Sequence, residues 1–145
     1  MAAKIFTDDE KARIVNAVKQ AEHNTSGEIR VHVERHCPEE LMDRAAYIFE
    51  ALKMHKTELR NGVLFYLAVD DHQFAILGDA GINSVVPDNF WESIKAEMTN
   101  IFQTGEVALA LEKGIIMAGE QLKSHFPHQA DDVNELPDEI SFGKV

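Results

Sequence analysis

The order of apolar and polar positions predicts a helix and then a strand in the first third of the chain. Residues 8–23 carry apolar side chains at helical spacing. They follow a capping box in which Thr7 and Glu10 each satisfy a backbone N–H of the first turn. Residues 28–34 alternate strictly between polar and apolar side chains, which is the pattern of a half-buried strand. The buried face of this strand is expected to hold Ile29, Val31 and Val33.

The middle and end of the chain continue the alternation of helix and strand. A second amphipathic helix is predicted to begin at Pro38, which suits a first turn, and its apolar face is drawn from residues 41–52. Residues 63–69 are an unbroken apolar run, typical of a central strand covered on both faces. Apolar side chains at helical spacing predict two more helices, over 90–102 and 107–122, the second of them buried.

A hairpin is predicted after the central strand. Residues 73–77 return as a third strand, and Asp71 with His72 forms a two-residue turn that pairs Asp70 with Gln73. A right-handed parallel crossover followed by an antiparallel neighbour implies a mixed sheet. We therefore predict the α/β class, a three-layer α-β-α sandwich with a small mixed β-sheet flanked by helices.

Composition and charge narrow the function classes. The chain has 145 residues, enough for one domain, and 14 basic against 25 acidic residues leave a formal charge of −11. A protein this acidic lacks the basic face that nucleic acid or anionic lipid requires. A divalent cation, or a protein partner with a basic surface, fits the sign of the charge.

The cysteine count, the apolar runs and the acidic end of the chain suggest the compartment and the limits of the domain. The single cysteine excludes an intramolecular disulfide, and no apolar run reaches the ~20 residues of a membrane span. We expect a cytoplasmic protein with no membrane insertion. The domain is expected over residues 1–127, followed by an acidic, flexible tail over 128–145.

Three short motifs resemble the TPM domain, a family named for a thylakoid-lumen protein, a photosystem II repair protein and a modulator of acetylcholine receptors. They are Asn-Gly-Val-Leu at 61–64, the Val-Asp-Asp hairpin at 69–71 and Gly-Asp-Ala-Gly-Ile at 78–82. The likeness spans about residues 5–126 and looks like the small stand-alone bacterial subtype. The resemblance implies a helix–sheet–helix sandwich, divalent-cation binding in some members, and a phosphatase activity proposed for a plant member. The loop at 78–82 departs from the Gly-Tyr-Gly-Leu-Glu-Gly of secreted members.

The predicted pairing gathers oxygen ligands at one end of the sheet. Asn61 and Asp79 share that end in the hairpin, and Glu28 joins them if the first strand runs parallel to the central one. With Asp88 from the following loop, this set suits weak binding of Ca²⁺ or Mg²⁺. The alternative is structural, with Asp88 as a helix N-cap and Asn61 as part of a turn.

A rival cation site lies at the opposite end of the hairpin. Asp70 and Asp71 stand there, with Glu34 or Glu39 close to the exit of the first strand. Adjacent aspartates in a tight turn also occur simply because their backbone and solvation suit a turn.

The histidines and the single cysteine do not show the spacing typical of a zinc site or a catalytic nucleophile. His32 and His36 are four residues apart but do not share a helix face, so solvated histidines are expected rather than a zinc site. Cys37 precedes a helix start beside His36, yet no third orienting group is evident for a nucleophile. No catalytic residue is therefore predicted.

Three functions remain open at this point. The first is divalent metal binding with a protein-interaction or maintenance role. The second is a metal-dependent phosphomonoesterase that uses the same carboxylates with Arg60 as a phosphate clamp. The third is a protein-interaction module that needs no metal.

Overall fold

A four-stranded mixed sheet between two helical layers forms the molecule. The computed structural model describes residues 5–127 and 136–143. The helices are α1 Asp8–Asn24, α2 Leu41–Ala51, α3 Ala80–Asn83, α4 Glu92–Phe102 and α5 Val107–Leu122, with a 3₁₀ turn Met54–Lys56 after α2. The strands are β1 Glu28–Glu34, β2 Gly62–Ala68, β3 Gln73–Gly78 and β4 Ser141–Phe142, in the spatial order β3-β2-β1-β4. β1 runs parallel to β2 and β4, and β3 is antiparallel to β2. The predicted α/β sandwich with a mixed sheet is confirmed.

Two apolar cores hold the layers together. The larger core lies between the sheet and α1, α4 and α5, and it contains Ile29, Val31 and Val33 as predicted. The smaller core lies on the other sheet face beneath α2. Gly119 lets α5 approach α1 closely, because a Cβ there would come within 2.7 Å of the Ala21 backbone. No helix in the described ranges is long and apolar enough to cross a membrane.

The helix starts follow capping chemistry. Glu10 N–H donates to Thr7 Oγ1 and Thr7 N–H to Glu10 Oε1, so the predicted capping box is present. The second helix begins later than predicted. Glu40 is its N-cap and accepts from two first-turn N–H groups, so Pro38 lies outside the helix rather than in its first turn.

The predicted two-residue hairpin turn is wrong. Ala68 pairs with Gln73, and four residues, 69–72, form the turn. The cause lies in β1, because Val69 N–H donates to Glu34 O and Asp70 N–H to Arg35 O. The backbone of Asp70 is therefore bonded toward β1, which shortens the hairpin.

Residues 136–143, called here the C-terminal segment, return to the sheet and lie along β1. Ser141 and Phe142 pair with β1 as the short strand β4, and Gly143 N–H donates to Val33 O. Leu136 enters the smaller core. The predicted acidic tail therefore includes a stretch that packs on the domain, while 128–135 and 144–145 lie outside the described residues. The domain boundary at residue 127 stays a prediction.

Glu22 joins this segment to the rest of the fold. Its Oε2 accepts from Ile29 N–H at 3.0 Å, and its carboxyl is hydrogen-bonded to Asp138. Burial raises the pKa of Glu22 to about 9, and the hydrogen bond to Asp138 and the charge of Glu28 push it in the same direction. At neutral pH a protonated Glu22 donates to Asp138, which removes the repulsion between two carboxylates.

Tight packing closes the loops at the start of β2. Gly81 N–H donates to Arg60 O at 2.8 Å, and Arg60 adopts a left-handed backbone conformation with φ 52°. A Cβ on Gly81 would lie 2.2 Å from Leu59 O and 2.5 Å from Arg60 O. Only glycine permits this contact, because the obstructing atoms belong to the backbone.

Glu22→Gln should change how stability depends on pH. Between about 4.5 and 9 the unfolded Glu22 has lost its proton while the folded one keeps it, so stability falls as pH rises. The amide keeps a donor for Asp138 without titrating. We expect the slope of unfolding free energy against pH to flatten by about 1.4 kcal/mol per pH unit in this window. Urea unfolding at several pH values measures it.

The exposed Glu120 supplies the control. Glu120→Gln should leave the slope of unfolding free energy unchanged. Equal slopes for Glu22→Gln and the unmodified chain would refute the protonated Glu22.

Gly81→Ala should destabilise the fold because its methyl meets rigid carbonyl oxygens. We expect a loss of about 2–3 kcal/mol in unfolding free energy, the upper range for overpacking. The control is Gly27→Ala at the same end of the sheet, where the nearest atom is an ordinary contact at 3.4 Å. Equal losses in both variants, measured by urea unfolding, would contradict this account.

Candidate functional site

Three loops meet where β1 and β2 begin. Parallel pairing sets Glu28 opposite Gly62, and Glu28 N–H donates to Asn61 O. Asp79 N–H donates to Gly62 O across the hairpin. The structure thus brings Glu28, Asn61 and Asp79 to one end of the sheet. The predicted pairing of Asp70 with Gln73 would place Leu64 opposite Asp79, but the longer turn pairs Leu64 with Leu77.

Asp79 forms an ion pair with Arg60. The guanidinium donates from Nε to Oδ2 at 2.7 Å and from Nη2 to Oδ1 at 2.8 Å. Oδ1 also accepts from Ala80 N–H, so Asp79 caps the short helix α3, a helix that the sequence pattern does not predict. The Asp79 side chain is only 6% exposed, whereas Arg60 is half exposed. The bond to Asp79 raises the pKa of Arg60.

Asn61 and Glu28 are engaged in other contacts. Asn61 is buried, its N–H donates to Thr57 Oγ1, and its Nδ2 donates to Ser26 O at 3.3 Å. Glu28 Oε1 accepts from Leu136 N–H at 3.0 Å, which ties Glu28 to the C-terminal segment. These two side chains therefore organise the loops as well as standing at the predicted site.

Asp88 lies in the exposed turn before α4. The N-cap of α4 is Trp91, so Asp88 is not the helix cap of the structural alternative. Within the described part of the chain, no hydrogen bond or ion pair joins Asp88 to Glu28, Asn61 or Asp79.

The oxygen atoms at this end of the sheet meet only part of what a hard cation requires. Asp79 supplies carboxylate oxygens, yet Arg60 and Ala80 N–H already hold both of them. Among residues 5–127 and 136–143, no three His, Cys, Asp or Glu side chains are grouped closely enough to hold a metal ion. The arrangement thus offers one anchoring carboxylate, with Arg60 in the place of its counter-cation.

A surface cleft of about 540 Å³ opens over the Arg60–Asp79 pair. Glu50, His55 and Asn83 also line it, between α2 and the end of β3. The Nδ1 atom of His55 is buried and has no hydrogen-bond partner among the described residues. The cleft therefore collects a guanidinium, a carboxylate and an imidazole at one opening.

The aspartates of the rival site have partners of their own. Asp71 accepts from Cys37 N–H and contacts the His36 ring at 3.0 Å, and Asp70 lies 3.5 Å from the Arg35 guanidinium. The contact with His36 lowers the pKa of Asp71. These contacts fasten the hairpin turn to the exit of β1.

Sequence reasoning missed a buried ion pair at this second end. Arg44 of α2 donates to both oxygens of Glu34 at 2.8 and 2.9 Å, and the Tyr66 hydroxyl donates to Glu34 as well. Burial raises the pKa of Glu34, but the bonds from Arg44 and Tyr66 outweigh it and the net pKa is lowered. The available signal was Arg44 itself, a charged residue among the apolar positions of α2 that face the core.

Comparisons with known proteins agree with this architecture. The sequence profile of the TPM domain matches residues 1–121. The solution structure of the BA42 protein from the psychrophilic bacterium Bizionia argentinensis is similar at 46% identity and a TM-score of 0.92, over 97% of each chain.

A more distant structure shares the fold alone. The N-terminal domain of cg2496 from Corynebacterium glutamicum has 11% identity and a TM-score of 0.62, over 94% of this chain and 80% of that one. No curated protein matches the sequence. Because the family profile covers most of the chain, this protein belongs to the TPM domain family, as the motifs in its loops predict.

Proposed function

We propose that the protein binds Ca²⁺ or Mg²⁺ weakly at Asp79 and that this binding serves a protein-interaction or maintenance role. The observation that carries the proposal is a nearly buried carboxylate that opens onto a surface cleft and is neutralised by a half-exposed arginine. A buried carboxylate requires a positive partner. A divalent cation and the guanidinium are two groups that meet this requirement.

Competition with Arg60 explains why the affinity is expected to be weak. A cation must displace a bidentate, charge-assisted pair before it can contact Asp79. Glu28 and Asn61 hold other partners, and Asp88 is exposed. Asp79 is therefore the anchoring ligand of the proposal, and the other three predicted residues contribute only if their present contacts loosen.

Charge supports the choice of partner. The formal charge of −11 favours cations and protein surfaces that are basic. We propose a partner protein of that kind, and the cytoplasmic location stays a prediction.

Titration with Ca²⁺ and then Mg²⁺, followed by amide chemical shifts, should give saturable changes near residues 60–62 and 78–83. Asp79→Asn should abolish them, since the amide still caps α3 but carries no charge.

Arg60→Gln should tighten binding roughly three- to tenfold, because it removes a competing partly exposed ion pair.

The opposite end of the sheet supplies matched controls. Asp70→Asn and Arg35→Gln break an exposed Arg–Asp contact of 3.5 Å and should leave the affinity unchanged. Saturable shifts centred on residues 70–72 would move the site to the hairpin turn. Shifts spread over the acidic surface would indicate counterion screening and favour an interaction module without metal.

A metal-dependent phosphomonoesterase is the second candidate, favoured by the presence of His55 in the cleft with Arg60 and Asp79. Arg60 would hold the phosphate, and a bound cation would supply Lewis-acid chemistry. In this candidate His55 would move a proton.

This candidate requires release of phosphate from para-nitrophenyl phosphate that depends on added cation. The release should be lost in both Asp79→Asn and His55→Gln. Saturable metal shifts without such turnover are the result that we expect, and they would exclude the enzyme with this substrate.

A further inference from the structure

The polar face of β1 is covered by the C-terminal segment over Glu28, Arg30 and His32, and by α2 only at Glu34. Leu136 N–H donates to Glu28, the Glu139 charge acts on Arg30, and Ser141 Oγ lies 2.8 Å from His32 Nδ1. The extended C-terminal segment thus contacts each of these three side chains of β1 in turn.

This cover leaves polar atoms unsatisfied. Arg30 Nε and His32 Nε2 are buried and have no hydrogen-bond partner among the described residues. Both belong to β1, and as residues i and i+2 they point to the same face. Buried polar groups without partners are rare and call for an explanation, since each loses its contact with water and gains nothing in return.

The segment also leaves apolar space unfilled. On the opposite, apolar face of the sheet, a cleft of about 380 Å³ lies between α1 and the segment, lined by Ala12, Val15, Ile140 and Phe142 among others. The pairing of β4 with β1 extends over only two residues. The C-terminal segment therefore occupies an edge groove along β1, with the polar face of the strand on one side of the sheet and this cleft on the other, and it leaves polar atoms of the first side unpartnered and part of the second side empty.

We propose that this edge groove binds an extended acidic peptide of a partner protein, parallel to β1 and in place of the C-terminal segment, with its side chains directed alternately to the two faces of the sheet. The peptide adds a strand to the sheet edge and brings a carboxylate to Arg30 and a bulky apolar side chain to the cleft. The protein's own segment is then a weaker occupant that competes for the groove.

The choice of an acidic peptide rests on Arg30 and on Lys11 at the groove. Every strand residue under the segment except Glu28 and Glu34 is apolar or a potential donor. Glu34 keeps its bond to Arg44, and a backbone N–H of the peptide would replace that of Leu136 at Glu28. The overall negative charge opposes the approach of such a peptide, so moderate salt should strengthen binding by screening the long-range repulsion.

The test uses the full chain and a fluorescent synthetic peptide with the sequence of residues 136–143, read by fluorescence anisotropy. Phe142→Ala in the chain removes an apolar anchor of its own segment, which contacts Phe6. The variant should bind the peptide at least roughly fivefold tighter than the unmodified chain. Ser141→Ala is a milder second variant, which removes only the contact with His32, and it should act in the same direction.

A double-mutant cycle tests the carboxylate. In the Phe142→Ala chain, a peptide with Glu139→Gln should bind roughly fivefold more weakly, and Arg30→Gln in the chain should abolish that difference. Arg35→Gln, one residue beyond β1, is the control and should preserve the difference. Asp79→Asn should leave peptide binding intact, which separates this groove from the proposed cation site.

Three outcomes would overturn the proposal. The first is no saturable binding to either weakened chain while its circular dichroism is unchanged. The second is an equal effect of Glu139→Gln in the presence and absence of Arg30. The third is a dimer of the Phe142→Ala chain in sedimentation that the peptide does not dissociate, which would make a second copy of this chain the occupant.

Discussion

Four polar side chains on one face of the buried strand β1 require hydrogen-bond partners from other parts of the fold. Glu28, His32 and Glu34 are nearly inaccessible and Arg30 is half-buried, because β1 lies inside a four-stranded sheet. Buried polar groups need hydrogen-bond partners, and no single neighbouring element supplies them all. α2 brings Arg44 to Glu34, and the end of the chain returns to serve the other three positions.

The ion pairs at the two ends of the sheet differ in how exposed their side chains are. At one end Glu34 and Arg44 are both sealed, with side-chain exposures of 8% and 9%. At the other end Asp79 is buried while Arg60 is half exposed above a cleft. A sealed pair contributes to the architecture, since neither partner can be exchanged without exposing a buried charge. A pair with one exposed member can exchange that member, which is why the proposed function rests on Asp79.

The candidate site was predictable as a location but not as a set of contacts. Parallel pairing and hairpin return bring Glu28, Asn61 and Asp79 to one end even though the hairpin register was wrong by two residues. A shift of two keeps every side chain on the same face, so the location tolerates that error. The partners of these side chains, Leu136 and Ser26, come from other loops, and no local sequence pattern predicts these contacts.

Local patterns along the chain predict the major helices, the first three strands and the family, because apolar periodicity and capping residues act over a few neighbouring positions. The burial of both faces of the alternating strand β1 follows from the packing of distant elements. Its polar positions read as solvated until a segment more than one hundred residues away covers them. The tertiary structure likewise decided that Arg60 pairs with Asp79 and that Glu22 keeps its proton. Burial and charge at these positions depend on the packing of distant elements, whereas helix and strand propensity depends on neighbours along the chain.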